Sequence, residues 1–217
     1  MFSEISKQSV RIPADAVNLE GALSITNGAQ ALVIFAHGSG SSRHSPRNKF
    51  VAQVLHEVGI GTLLFDLLTR EEDRIYENRF DIDLLTTRLK TVTLWVKDQP
   101  QTKKLTIGYF GASTGAAAAI RAAADLGKEI GAIVSRGGRP DLAEKALEYV
   151  QSPTLLIVGG YDDVVISINQ QAYKKIKAEK ELAIIPSATH LFEEPGALEK
   201  VARLAAEWFK KYLSLSG

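Results

Sequence analysis

The stretch Leu105-Thr106-Ile107-Gly108-Tyr109-Phe110-Gly111-Ala112-Ser113-Thr114-Gly115, continued by Ala116 to Ala119, constrains this chain more than any other. An apolar run of strand type ends at a glycine. A serine then stands between two glycines at the G-x-S-x-G spacing, and an alanine-rich helical run follows at once. Strand, sharp turn and helix in that order are the context in which the spacing reads as a nucleophile elbow. The turn is strained so that the Ser113 hydroxyl projects beyond the sheet, and glycine at 111 and 115 avoids collision with the crossing strand or helix. Small side chains at 116 to 119 let the helix lie close against the strands. Outside that context Ser113 would be an ordinary glycine-flanked loop serine.

Around this element, strand-like and helix-like segments alternate. Ser9 to Pro13 and Val17 to Ile25 alternate apolar and polar residues about a turn at Asp15, which predicts an antiparallel pair at a sheet edge, where Pro13 is tolerated. Ala31 to Ala36 is apolar throughout, the sign of a strand buried on both faces. Pro46 opens a helix whose apolar positions are Phe50, Val51, Val54, Leu55 and Val58. Thr62 to Leu68 is the next expected strand, with a charged connection over Thr69 to Asn78. Ile82, Leu85, Leu89, Val92 and Val96 mark an amphipathic helix stopped at Gln99-Pro100.

After the elbow, Ile130 to Val134, Thr154 to Val158 and Leu182 to Ile185 read as strands. Asp141 to Val150, Ile168 to Ile176 and Gly196 to Leu213 read as helices. An antiparallel start followed by this alternation predicts an α/β fold, a mostly parallel eight-stranded sheet with helices on both faces. No inserted lid domain fits between the later strands. With 217 residues, no internal repeat and no linker, residues 1–217 are expected to form a single domain.

Composition narrows the partners. A formal net charge of +1 gives no argument for nucleic acid or a membrane surface, so neither is expected. The absence of cysteine excludes a disulfide framework, a thiolate nucleophile and a Cys-ligated metal, and it suits a reducing compartment. Met1 to Val10 lacks the apolar core of a signal peptide, and no run approaches transmembrane length, so a cytoplasmic protein is expected. No two histidines have metal-ligand spacing on a helix, and Gly38 to Ser42 lacks the Gly-Lys-Ser/Thr ending of a phosphate loop. No metal and no cofactor are therefore expected.

In an open parallel sheet the ligand crevice lies beyond the carboxyl ends of the strands. Four of those ends carry suggestive residues: His37-Gly38-Ser39-Gly40, Gly111-Ala112-Ser113-Thr114-Gly115, Gly159-Gly160-Tyr161-Asp162 with Asp163, and Thr189-His190-Leu191-Phe192. In order and spacing these resemble the α/β-hydrolase superfamily, and within it the lidless dienelactone hydrolase-like group, over nearly the whole chain. Dienelactone hydrolases proper use a cysteine nucleophile, whereas this chain offers Ser113.

The resemblance implies a Ser113, Asp162, His190 triad, in the chain order Ser, Asp, His. Ser113 would attack an acyl carbon as its proton passes to His190, with a carboxylate holding the histidine's tautomer. The family register favours Asp162, spaced between Gly159 and Val165, over Asp163; the unused aspartate would be a loop residue capping the following helix. The oxyanion donors implied are the backbone N–H groups of Ser39 and Thr114.

Arg136 and Arg43 are candidates to hold a substrate carboxylate, against the alternative of salt bridges to Glu71, Glu72 or another acid. Tyr161, Leu191 and Phe192 are candidates to line an acyl pocket, or else to pack in the core. His37 is expected to order its loop, and His44 and His56 to be surface or helix residues. The expected activity is that of a serine hydrolase, of carboxylesterase or dienelactone hydrolase type, whose partner is a small-molecule acyl substrate. Without a lid, short acyl chains are expected over long lipids. The alternatives are a non-catalytic ligand-binding protein on the same scaffold, or an acyltransferase using the same residues.

Overall fold

The computed structural model describes residues 5–213, so the first four residues of Met1 to Val10 lie outside the described residues. Uninterrupted apolar runs become the central strands, and every residue of β3 (Ala31–Ala36), β4 (Gly61–Phe65) and β7 (Thr154–Gly159) is buried. With β1 (Ile5–Ala14), β2 (Val17–Thr26), β5 (Thr106–Ala112), β6 (Ile130–Arg136) and β8 (Lys180–Ile185) they form an eight-stranded sheet. Its order is β1-β2-β4-β3-β5-β6-β7-β8. β2 pairs antiparallel with both β1 and β4, and the remaining neighbours are parallel. Asp15, at φ 54°, makes the turn between β1 and β2.

Side chains alternate across each strand, and the two faces bury different helices. Leu32 and Ile34 pack in the cluster that holds α3 (Ile82–Asp98), α4 (Thr114–Leu126) and α5 (Asp163–Lys175). Val33 and Phe35 pack in the cluster that holds α1 (Pro46–Glu57) and α6 (Ala197–Leu213). Local chemistry starts α1 and α3 where the sequence predicts. Ser45 caps α1 by accepting from the Asn48 N–H, with Pro46 in the first turn, and Asp81 caps α3 by accepting from the Leu84 N–H. No helix among the described residues is long and apolar enough to cross a membrane.

Several elements differ from expectation. β4 stops at Phe65, where its pairing ends: the ladder to β2 reaches Gly21 opposite Phe65, and that to β3 reaches Phe35 opposite Leu64. Leu67 and Leu68 are buried all the same, as core residues of a loop. The charged connection is folded: α2 (Arg70–Asp73) begins with a capping box between Thr69 and Glu72, and a 3₁₀ helix follows at Tyr76–Phe80. The helix expected from Asp141 is a 3₁₀ segment, Pro140–Tyr149, broken at Ala143, and α5 starts five residues before Ile168.

Candidate active site

Ser113 sits between β5 and α4 at φ 50° and ψ −120°, a conformation that costs a non-glycine residue about 1–3 kcal/mol. Its surroundings hold it there. Its N–H donates to the Arg136 carbonyl at 3.2 Å, and its carbonyl accepts from the Arg139 N–H at 3.1 Å and the Ala116 N–H at 3.1 Å. The flanking glycines are required by close approach. A Cβ at Gly111 would stand 2.4 Å from the Ala116 Cα, and one at Gly115 would stand 2.2 Å from the Ala36 carbonyl oxygen. Helix α4 and the end of β3 are thus packed backbone to backbone against the turn.

Two loops from the far side of the sheet meet beside it. Asp162 ends the β7 loop and His190 follows β8, and His190 Nδ1–H donates to Asp162 Oδ2 at 2.6 Å. That bond leaves Nε2 as the acceptor nitrogen of the ring. The carboxylate side chain is 17% exposed and the imidazole 40%, so the acid is shielded while the ring remains open to a ligand. The ring borders the end of β6, whose Arg136 carbonyl accepts from the Ser113 N–H: a Cβ at Gly137 would lie 3.3 Å from His190 Cε1. Among the described residues, the Ser113 hydroxyl and His190 Nε2 make no hydrogen bond, a contact that is often loose in a ligand-free site. Asp163 is exposed and begins α5, where its charge complements the helix N-terminus.

On the other side of Ser113, the Ser39 N–H donates to Thr114 Oγ1 at 3.0 Å. Thr114 opens α4, so its own N–H is one of the helix's unpaired amides. The sequence reading names both backbone donors but misses the Thr114 side chain, which ties the two loops; a hydroxyl directly after the nucleophile was the available signal. His37 anchors the same loop. Its Nδ1–H donates to the Gly38 carbonyl at 2.9 Å, and its Nε2 accepts from the Leu67 N–H at 3.0 Å. Both ring nitrogens are used, and burial lowers its pKa, so the ring is neutral. A cleft with room for about one water lies here, walled by Leu67, Leu85, Asp73 and Arg79. A much larger groove, about 980 Å³ between α1 and the outer strands, is lined by none of Ser113, Asp162 and His190.

The remaining candidates separate. Arg43 is held by Asp66 and, at 2.8 Å, by Glu20, so its guanidinium is engaged within the chain rather than free for a substrate. Arg136 has no such acid: among the described residues it makes no ion pair, and it is buried. Tyr161 and Leu191 are exposed on the rim, while Phe192 is buried. His44 is exposed, and His56 on α1 bonds Thr62 Oγ1 at 2.7 Å. Among the described residues no group of three or more His, Asp or Glu could hold a metal ion.

Residues 29–207 match the family model described as an alpha/beta hydrolase domain. A solved dienelactone hydrolase from Anabaena variabilis is 54% identical, with a TM-score of 0.94 over 97% of this chain and 99% of that one. Est1E from Butyrivibrio proteoclasticus, at 18% identity and a TM-score of 0.81 over 94% of this chain and 98% of its own, shares the fold. A Mycobacterium tuberculosis protein whose given name proposes a phosphoribosyl transferase is 55% identical over 206 residues, 95% of this chain and 46% of its own length. The chain thus spans about half the length of the curated relatives it matches. On a family match across most of its residues, and a likeness to a solved dienelactone hydrolase that covers nearly all of both chains, this chain belongs to the α/β-hydrolase family, in its dienelactone hydrolase-like group.

Proposed function

We propose that the chain is a serine hydrolase that cleaves small esters through an acyl-enzyme. The observation that carries this reading is the 2.6 Å bond from His190 to Asp162 at the rim where Ser113 stands on its strained turn. In the first half-reaction Ser113 Oγ bonds to the substrate carbonyl carbon as its proton moves to His190 Nε2. The carbonyl oxygen becomes an oxyanion, stabilised by the Ser39 and Thr114 N–H groups. Collapse breaks the bond to the leaving alkoxide, which takes the proton from His190. In the second half-reaction water bonds to the acyl carbon, gives its proton to His190, and Ser113 leaves with that proton. Asp162 keeps Nδ1 protonated throughout and offsets the imidazolium charge.

The narrow cleft beside Ser39 and the open rim around His190 favour short acyl groups. The name carried by the mycobacterial relatives describes proteins about twice as long as the matched segment, and the reading here rests on residues inside that segment. Acyl transfer to an alcohol or amine needs the same residues and differs only in what replaces water.

A panel of acetate, butyrate and long-chain esters, with thioesters, lactones and peptide amides beside them, tests the reading. Turnover of the short esters, reduced by at least about 10³-fold in Ser113→Ala, is expected. Equal turnover by Ser113→Ala, or a strong preference for long chains, contradicts it.

A further inference from the structure

Helix α5 buries Val165, Asn169 and Ala172, which share one face at helical spacing. The outer two are apolar, as a core-facing stripe requires, and the middle one is a fully buried amide. Asparagine is a poor helix former, and burying its amide costs free energy unless hydrogen bonds replace the lost water. Both Nδ2 protons of Asn169 are used. Nδ2 donates to the Val165 carbonyl, one turn back, at 2.9 Å, and to the Gly138 carbonyl at 3.0 Å. Oδ1 is buried without a partner. An amide satisfied on one side only adds little net stability, and what it supplies is a fixed link from α5 to Gly138.

Gly138 stands between the two halves of the candidate site. One neighbour, Arg139, donates its N–H to the Ser113 carbonyl at 3.1 Å, and the other, Gly137, borders the His190 ring. The loop is tightly seated: a Cβ at Gly138 would collide with the Ser135 hydroxyl and lie 2.8 Å from the Ala116 Cβ of α4. At the other end of the link, Asn169 lies roughly two helical turns beyond Asp162. The Asp162 carbonyl accepts from the Ile166 N–H at 2.8 Å, so the acid's own backbone is built into the start of α5. The Asn169 side chain therefore joins the helix that carries Asp162 to the loop that holds Ser113.

We infer that Asn169 is a positioning residue for the proposed hydrolysis: its bond to the Gly138 carbonyl sets the separation between Ser113 and the His190–Asp162 pair. The inference rests on the hydrolase reading for its kinetic part. Ser113 Oγ and His190 Nε2 make no hydrogen bond in the ligand-free site, so proton transfer between them depends on how closely the two loops are held. Without the amide, the Gly137 N–H bond to the Ile157 carbonyl of β7, at 2.8 Å, still anchors the start of the loop. Gly138 and Arg139 beyond it would lose their tie to α5. A displacement of about 1 Å, even away from the chemistry, can cost about 10²-fold in rate. Asn169 touches no reacting atom, so its loss should lower kcat and leave substrate binding nearly intact.

Three variants test it. Asn169→Leu keeps the branched shape and removes the donors. Asn169→Ser, whose hydroxyl bonds within its own helix, removes the link to Gly138 with a smaller side chain and carries the test if Asn169→Leu does not fold. Ser152→Ala is the structural comparison: it deletes a buried 2.7 Å bond to the Ile130 carbonyl, at the opposite end of β6 from Arg136. All are assayed on an acetate ester, well below their unfolding midpoints. Both Asn169 variants should lose about 10- to 100-fold in kcat with KM within about twofold, and should react with a fluorophosphonate more slowly by a similar factor. Ser152→Ala should keep the wild-type kcat while losing stability. The imidazole Cε1–H resonance of His190, identified by its absence in His190→Gln, should move in both Asn169 variants and stay in place in Ser152→Ala. Wild-type kcat in a folded Asn169 variant, or an equal loss in Ser152→Ala, overturns the positioning role. A wild type that neither turns over esters nor reacts with the probe overturns the hydrolase reading instead. The His190 resonance then decides the positioning role, which a signal unmoved in the Asn169 variants overturns.

Discussion

Ser39 donates its amide N–H to the Thr114 hydroxyl at 3.0 Å, joining loops 75 residues apart at the site proposed for the oxyanion. The bond aligns one proposed donor by means of the residue that supplies the other. Thr114→Val keeps the side-chain shape and removes the acceptor. Loss of a bond of this kind is worth about 1 kcal/mol, so kcat on an acetate ester should fall roughly 5- to 10-fold with little change in KM. Thr114→Ser should retain most activity. A rise in kcat for the valine variant would mean that the hydroxyl competes with substrate for the Ser39 amide.

The two neighbouring aspartates are expected to behave differently. Asp162→Asn converts the acceptor of the His190 bond into an amide and favours the wrong tautomer, which should lower kcat by about 10³- to 10⁴-fold. Asp163→Asn only removes an exposed charge from the first turn of α5, a loss of about 0.3–1 kcal/mol of stability with activity retained. Steady-state kinetics on both variants checks this, and the reverse pattern would remove Asp162 from the site.

Gly115→Ala would drive a Cβ into the Ala36 carbonyl oxygen at 2.2 Å, between two backbones that cannot part without opening the elbow. A loss of more than about 3 kcal/mol is expected, visible as a large drop in the urea midpoint or as insolubility. Gly40→Ala is the comparison: it has positive φ but meets nothing within 4 Å, so only the backbone term of about 1–2 kcal/mol applies. Similar losses in the two variants would show that collision at the elbow is not what demands glycine.

Stability should fall with acid through His37. Burial lowers its folded-state pKa below the ordinary 6.5, so the unfolded chain binds the proton more readily. The stabilisation is fully present above pH 6.5 and is lost as pH falls from there through the folded-state value. His56 on α1 is lowered by burial and by the Lys7 charge, and adds to the same slope. Unfolding free energies measured by denaturant between pH 7.5 and about 5 should decline, with a shallower slope in His37→Gln. An unchanged slope in that variant would contradict the assignment.

Most of the scaffold is legible in the chain because its signals are local and strong. Fully apolar runs such as Ala31–Ala36 have nowhere to go but the centre of a sheet, and the G-x-S-x-G turn announces its own strand and helix. The departures occur where a local pattern meets a tertiary limit. Leu67 and Leu68 continue the apolar run of β4, yet the pairing to β2 and β3 ends before them and the two become buried loop. Thr69-Arg70-Glu71-Glu72 carries the spacing of a capping box inside a charged stretch, and the structure uses it. At the site, spacing alone separates Asp162 from Asp163 by a narrow margin, and the hydrogen bond to His190 decides which carboxylate faces the ring. That Arg43 has acids around it and Arg136 has none could not be read from either position, since the partners come from distant strands.

The central claim is that His190 activates Ser113, and a fluorophosphonate probe tests it most directly. Its phosphorus is attacked only by an activated hydroxyl. The account predicts one covalent adduct on the wild type, mapped to the peptide containing Ser113, absent from Ser113→Ala and slowed about 10²-fold or more in His190→Ala. A wild-type protein that stays unlabelled, or a Ser113→Ala variant labelled to the same extent, would contradict it.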